Sequence, residues 1–137
     1  MKQFIDTCIF IYSASEDNEF KGSCLSVLKK IREKKIEAVT GVEVFQELVH
    51  FYRRKGLQEK GLEICWGALS LPISILPVTE NDLRVYLSML SKGRRNVQSR
   101  DFLHAAVMLN NGIERIITVD KDFDKIPGIT RVGPAEV

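Results

Sequence analysis

Short apolar stretches alternate along this chain with longer segments in which apolar residues recur at helical spacing. The short stretches are residues 2–6, 36–40, 73–78, 114–119 and 129–132, and the longer ones are residues 22–34, 42–55, 57–70, 79–91 and 100–111. Strands that alternate with helices form a parallel sheet covered by helices, because each helix carries the chain back to the start of the next strand. The sequence therefore predicts an α/β fold with about five strands and about five helices.

The length and composition are typical of a globular protein and exclude several other classes. A chain of 137 residues with 45% hydrophobic residues predicts one domain that spans residues 1–137. The 20 basic and 18 acidic residues give a formal charge of +2. This balance excludes a strongly charged tail and leaves nucleic acid open as a partner.

The sequence predicts a cytoplasmic location. No apolar run approaches the roughly 18 residues of a membrane span, and Asp6 interrupts the apolar run near the N-terminus, so we expect no signal peptide. The cysteines Cys8, Cys24 and Cys65 form no Cys-x-x-Cys or Cys/His pattern. We therefore expect neither a disulfide framework nor a structural zinc site, and a reducing compartment fits best.

Three local signals refine the predicted elements. Pro77 lacks a backbone donor, which predicts that the third strand lies at an edge of the sheet or ends early. The stretch from Thr79 to Asp82 is typical of a capped helix start. Ser99 is expected to cap the helix that follows it.

Two aspartates follow predicted strands directly. Asp6 ends the first strand and Asp120 ends the fourth. In open parallel sheets the carboxyl ends of the strands gather at one edge, where ligands bind. We therefore expect Asp6 and Asp120 to approach each other if their strands are neighbours.

A third aspartate, Asp101, opens a helix that is apolar nearly all round. Such a helix is buried, and Asp101 shares its stripe with Ala105 and Met108, so the aspartate is expected to face protein rather than water. The alternative is a first-turn acid that is favoured only by the helix dipole. The residue alone does not separate these two interpretations.

Glu47 is the fourth candidate acid. It shares a polar stripe with Glu43, His50 and Arg54, opposite an apolar stripe of Phe45, Val49 and Tyr52. Periodicity alone favours a solvated helix face here, and it does not choose between Glu43 and Glu47.

Clustered carboxylates have a defined chemical use. They repel one another, and some stay protonated unless a cation holds them. Oxygen ligands suit Mg²⁺ or Mn²⁺. A water bound to such a metal can attack a phosphodiester, so no protein nucleophile is needed.

Taken in chain order, four stretches of this sequence resemble the PIN-domain family, a group of small metal-dependent ribonucleases. The matching stretches are Phe4-Ile5-Asp6-Thr7, Thr40-Gly41-Val42 through Glu47-Leu48, Ser99-Arg100-Asp101-Phe102-Leu103-His104-Ala105-Ala106, and Ile117-Thr118-Val119-Asp120-Lys121-Asp122-Phe123-Asp124. Each motif is short, and their combination in this order is fairly specific. The resemblance selects Glu47 over Glu43.

The resemblance implies a three-layer α/β sandwich with a central, mostly parallel sheet. It implies that Asp6, Glu47, Asp101 and Asp120 are both the catalytic residues and the ligands of Mg²⁺ or Mn²⁺. Thr7 and Thr118 would be supporting hydroxyls, and Asp122 ranks below Asp120 as a further acid. Many members of the family are toxins of prokaryotic toxin–antitoxin pairs. The resemblance therefore also implies RNA as the substrate, an antitoxin protein as a partner, and a homodimer.

Several other polar and aromatic residues are not assigned to the predicted site. Lys92, Arg94, Arg95 and Arg100 precede Asp101 and would either hold RNA phosphates or form a solvated loop. The histidines His50 and His104 are expected to be packed or surface residues, because the metal mechanism needs neither. The aromatic residues Phe51 and Trp66 are expected to be core or dimer contacts.

Two other functions compete with a metal-dependent endoribonuclease. The first is a catalytically silent PIN-like binding module that acts through RNA or protein contacts. The complete set of four acids argues against it, because a silent module has no need for carboxylates that repel one another. The second is a phospho-accepting receiver domain. That reaction needs an aspartate at the end of a central strand, and the third strand ends in Pro77-Val78-Thr79 instead.

Overall fold

A computed structural model describes residues 1–93 and 96–137. The strands are β1 (Lys2–Ile5), β2 (Glu37–Gly41), β3 (Ile73–Leu76), β4 (Arg115–Ile117) and β5 (Thr130–Val132). The α-helices are α1 (Thr7–Ala14), α2 (Lys21–Arg32), α3 (Val42–Arg54), α4 (Gln58–Leu69), α5 (Glu80–Lys92) and α6 (Ser99–Asn110). Short 3₁₀ turns cover Lys121–Lys125 and Pro134–Glu136.

The five strands form one parallel sheet in the order β3-β2-β1-β4-β5. Successive side chains of a strand point to opposite faces of the sheet. Phe4 and its neighbour Ile5 in β1 are both fully buried, as are Ile116 and Ile117 in β4. Both faces of the sheet are therefore covered, and the predicted three-layer α/β sandwich is confirmed.

The strand order reverses at β1, because the chain moves outward to β2 and β3 on one side and returns to β4 and β5 on the other. The crevice at the carboxyl ends of β1 and β4 is thus a topological switch point, the usual ligand site of open α/β sheets. Asp6 follows β1 and Asp120 lies just beyond β4, so the fold places both acids at this crevice.

Most predicted elements are confirmed, and two details differ. Helix α1 was not predicted, since eight largely apolar residues give no amphipathic stripe. Ser99 does not cap α6: Gln98 is the N-cap, with extended backbone, while Ser99 is already the first helical residue. The predicted edge position of the third strand is confirmed, and Thr79 caps α5 in a reciprocal capping box with Asp82.

Candidate active site

Asp6 lies at the switch point and caps helix α1. Its Oδ1 accepts a hydrogen bond from the backbone N–H of Thr7 at 2.8 Å, and its Oδ2 accepts one from the Thr118 hydroxyl at 2.7 Å. The carboxyl group is therefore held by the first residue of α1 and by the residue that follows β4. Burial raises the pKa of Asp6 above its ordinary value, although the positive charge of His104 and the hydrogen bond from Thr118 oppose this shift.

Glu47 extends from the middle of α3 toward Asp6. Its Oε2 accepts a hydrogen bond from the Thr7 hydroxyl at 2.7 Å, and its Oε1 lies 2.7 Å from Nε2 of His104. Burial alone would raise the pKa of Glu47. The hydrogen bonds from His104 and Thr7 and the charge of His104 outweigh burial and bring the pKa below its usual value. The predicted solvated helix face is confirmed for His50 and Arg54, which are exposed, and is wrong for Glu47, which is partly buried and bonded through both oxygens.

His104 is a residue of this site that the sequence analysis left out. It lies in α6, one turn beyond Asp101, with its ring 5.5 Å from that of Phe4. Burial would lower the pKa of His104, but the hydrogen bond to Glu47 and the charges of Asp6, Glu47 and Asp101 raise it overall. The ring thus favours its protonated form among the acids. Ligand atoms of Asp6, Glu47 and His104 all lie within 4.8 Å of one another.

Asp101 stands in the first turn of α6 and is buried, as its apolar stripe predicted. Among the described residues, its Oδ2 atom has no hydrogen-bond partner. Burial, together with the negative charges of Asp6 and Asp120, raises the pKa of Asp101 to about 7. An acid that shares a site with other carboxylates and lacks a donor holds a proton or a cation near neutral pH.

The turn after β4 supplies the remaining acids. The Asp120 backbone N–H donates to the Thr118 hydroxyl at 3.0 Å, and Asp120 Oδ1 accepts a hydrogen bond from the Asp122 backbone N–H at 2.9 Å. Ligand atoms of Asp101, Asp120 and Asp122 lie within 4.8 Å of one another. Thr118 therefore links the two groups of acids, since the same hydroxyl donates to Asp6.

All four predicted acids meet at one edge of the sheet, in two groups that the Thr118 hydroxyl links. Thr7 and Thr118 lie beside them, where the resemblance placed supporting hydroxyls. The predicted basic loop is described only in part: Arg94 and Arg95 lie outside the described residues, while Lys92 and Arg100 are exposed.

The donor set fits a divalent metal ion. Its members are carboxylates, the oxygen ligands that Mg²⁺ and Mn²⁺ prefer. The unpartnered Oδ2 of buried Asp101 is the atom that a cation would satisfy. Burial and the repulsion between Asp101 and the neighbouring acids together raise the pKa of Asp101. A positive charge bound among these acids would relieve the repulsion.

Comparison with known proteins agrees with this geometry. The PIN domain family model matches residues 4–129, so the chain belongs to the PIN domain family. Ribonuclease VapC13 of Mycobacterium tuberculosis is 28% identical over 133 residues, covering 94% of this chain and 98% of that protein. Ribonuclease VapC7 of the same organism is 21% identical over 137 residues, covering 95% of this chain and 90% of that protein.

Two solved structures share the fold. VapBC2 from Rickettsia felis, bound to a DNA fragment from its promoter, has a TM-score of 0.74 at 18% identity and covers 97% of this chain and 98% of its own. VapC20 of Mycobacterium tuberculosis, a toxin that cleaves the sarcin–ricin loop, has a TM-score of 0.74 at 19% identity and covers 90% of this chain and 93% of its own.

Proposed function

We propose that this protein is a metal-dependent endoribonuclease and the toxin of a toxin–antitoxin pair, with residues 1–137 acting as one domain. The observation that carries the proposal is the convergence of Asp6, Glu47, Asp101 and Asp120 at the switch point of a PIN fold. The relatives named as VapC ribonucleases support RNA as the substrate.

Asp6, Asp101 and Asp120 would hold Mg²⁺ or Mn²⁺, and Glu47 would hold the ion or orient the attacking water. When bound, a divalent ion lowers the pKa of a water molecule and stabilises negative charge on the phosphodiester. Asp101 gives up its proton to take part, because a carboxyl group must be ionised to act as a strong metal ligand.

The neighbouring side chains fix the direction of these carboxylates. Thr7 donates its backbone N–H to Asp6 and its hydroxyl to Glu47, so one residue sets the angle between two acids. Thr118 holds the other oxygen of Asp6. Each carboxylate oxygen has two lone pairs, so an oxygen that accepts one hydrogen bond can still bind a cation or a water.

Glu47 is the acid best suited to orient a water. Its pKa lies below the usual range, so it is ionised at neutral pH and accepts hydrogen bonds only. His104 and Thr7 each occupy one side of the carboxylate. We infer that a remaining lone pair accepts a hydrogen bond from the water and directs the water oxygen toward the phosphodiester.

Exposed apolar side chains support protein partners, here a second copy of the chain and an antitoxin. An apolar groove of about 660 Å³ runs between α3 and α4, where Trp66 is 70% exposed. Leu83, Leu87 and Leu90 of α5 are exposed as well. Several solved structures that share the fold are toxin–antitoxin complexes.

Among the residues that the structure describes, none of the helices could cross a membrane. We propose a cytoplasmic location.

RNA cleavage by the purified protein, with Mn²⁺ or Mg²⁺ and with or without a chelator, tests the function. We expect cleavage that needs metal and is lost in Asp6→Asn, whose amide oxygen preserves the cap on α1. Cleavage that continues in chelator, or at full rate in Asp6→Asn, would contradict the proposal. If Mn²⁺ does not bind at millimolar concentration and RNA stays intact, the chain is a binding module instead.

A further inference from the structure

A cavity of about 390 Å³ opens beside the acidic pocket, between α1, the second half of α3 and the start of α6. Its lining residues are Thr7, Ile11, Glu47, His50, Phe51, Arg54, Lys55 and Arg100. This volume lies within the range of small-ligand sites, which starts at roughly 300 Å³. The cavity has three features that together suit one nucleotide of an RNA strand.

The first feature is continuity with the acids. Thr7 and Glu47 line the cavity and also belong to the acidic pocket, where the Thr7 hydroxyl bonds Oε2 of Glu47 at 2.7 Å. A chain whose phosphodiester lies at the acids would therefore enter this cavity with a neighbouring nucleotide.

The second feature is positive charge. Arg54, Lys55 and Arg100 are exposed at the cavity, and within the part of the chain that the structure describes none of them forms a salt bridge. The formal charge of the whole chain is only +2, so three unpaired cations around one cavity are a local concentration. Basic side chains of this kind bind phosphate oxygens.

The third feature is an aromatic ring among these cations. Phe51 is half-buried, and its ring packs edge-on against buried Tyr52 with centroids 5.0 Å apart, which holds it in place. Lys55 Nζ lies 4.8 Å from the centre of the Phe51 ring. A stacked base contributes about fivefold to hundredfold in affinity, while an exposed cation–π contact contributes about twofold to fivefold. A base can therefore displace the flexible lysine.

We propose that this cavity binds the nucleotide adjacent to the cleaved phosphodiester of a single-stranded RNA, with its base stacked on Phe51 and its phosphate held by Arg54 and Arg100. The proposal rests on the ribonuclease function and adds the place where the substrate strand is held. It requires an unpaired base, because a base in a duplex is stacked on its neighbouring bases and its face is not open to the Phe51 ring. Phe51 packs against the core, as expected, and the proposal gives its half-buried ring a second role.

Adjacent arginines of α3 provide a matched test. Arg54 lines this cavity, whereas Arg53 lies on the groove toward α4, and replacing either with glutamine removes one positive charge. We would measure fluorescence anisotropy of a labelled short single-stranded RNA in the presence of chelator. We expect Arg54→Gln to weaken binding about fivefold or more, and Arg53→Gln to change it less than about twofold. Equal losses of RNA affinity in the two variants would show that the RNA is attracted by positive charge wherever it lies, and would overturn the proposal.

Variants at Phe51 test stacking separately from charge. Phe51→Leu keeps apolar volume without a ring and should weaken binding about fivefold to thirtyfold, while Phe51→Tyr should bind like the original protein. If Phe51→Leu binds RNA normally, or if Phe51→Tyr loses as much as Phe51→Leu, the stacking role is wrong. A duplex of the same sequence should bind more weakly, and its binding should not depend on Phe51.

The split between KM and kcat for RNA separates this proposal from the proposed function. We expect Phe51→Leu to raise the KM for RNA more than it lowers kcat, because the ring would bind the strand outside the reacting atoms. Because binding is measured in chelator, the subsite is tested even if no cleavage occurs. Loss of RNA binding at Phe51 and Arg54 in a protein that cleaves nothing would support the subsite and contradict the ribonuclease.

Discussion

Nε2 of His104 lies 2.7 Å from Oε1 of Glu47, and this contact joins helices α6 and α3 within the acidic site. Because the Thr7 hydroxyl bonds the other oxygen at 2.7 Å, the Glu47 carboxylate is fixed from both sides. In the proposed reaction the histidine would act through Glu47, as a positioning residue.

Replacing His104 with leucine should lower kcat for RNA by roughly tenfold to a hundredfold, the usual effect of losing a group that orients a metal ligand. The leucine leaves Oε1 of Glu47 without a donor, whereas His104→Gln offers an amide N–H and should recover part of the activity. Steady-state kinetics with melting temperatures would check this. If both variants lose activity only in proportion to lost stability, His104 is merely structural.

The stability of the metal-free protein should fall as pH rises from about 4 to about 7. Asp101 has a pKa of about 7 in the folded protein against an ordinary 3.8, so the folded state holds a proton that the unfolded chain releases. The raised pKa values of Asp6 and His104 act in the same direction. Asp101→Asn should flatten this dependence and raise the melting temperature at pH 8 by roughly 5 °C.

Thermal unfolding in chelator across this pH range measures the effect. Asp17→Asn makes the same carboxyl-to-amide change at an exposed position outside the site and should follow the original protein. Parallel curves for Asp101→Asn and the original protein would show that the pKa of Asp101 is not raised.

Metal binding should become tighter as pH rises toward 7, because the ion must displace the proton of Asp101. The gain approaches tenfold per pH unit below that pKa and levels off above it. Isothermal titration with Mn²⁺ in buffers of different ionisation enthalpy would report both the affinity and the released proton. An affinity that is constant with pH would contradict this prediction.

Two glycines of α4 should respond in opposite ways to alanine. A Cβ at Gly61 would lie 2.9 Å from Cβ of Tyr52 in α3, while one at Gly67 would have no atom within 4 Å. Gly61→Ala should destabilise the fold by about 1–3 kcal/mol through overpacking. Gly67→Ala should stabilise it by up to about 1 kcal/mol, because alanine favours helix. Urea denaturation measures the free energy of unfolding of both variants. Similar changes in the two variants would contradict the close packing of α3 on α4.

Much of the fold was predictable because alternating strands and helices leave few topologies. Asp6 and Asp120 could be assigned to one edge because their strands are parallel, and the order β2-β1-β4 makes these strands neighbours. Helix α1 was missed, since its residues Ile9, Phe10 and Ser13 are buried and give no polar face. A helix of this kind is recognised by its surroundings rather than by its own periodicity.

The site was less accessible to sequence reasoning, because it depends on contacts between distant helices. Of the predicted apolar stripe of α3, Tyr52 is buried, but Phe45 and Val49 are only half-buried. Val44 and Leu48, outside that stripe, are fully buried. The helix is therefore rotated so that Glu47 meets the sheet edge, and only the family resemblance selected Glu47. For His104, the available signal was a polar residue in a helix that is otherwise buried, since such a residue needs a partner.

The most direct test compares Mn²⁺-dependent RNA cleavage and Mn²⁺ binding for the original protein, Asp101→Asn and Asp17→Asn. The two variants carry the same carboxyl-to-amide change, and only Asp101 lies among the converging acids. We predict that Asp101→Asn weakens Mn²⁺ binding and lowers cleavage by about a hundredfold or more, as expected when metal-ion stabilisation is lost, while Asp17→Asn is unaffected. Undiminished cleavage by Asp101→Asn would show that the acids at the carboxyl ends of β1 and β4 are not the catalytic site.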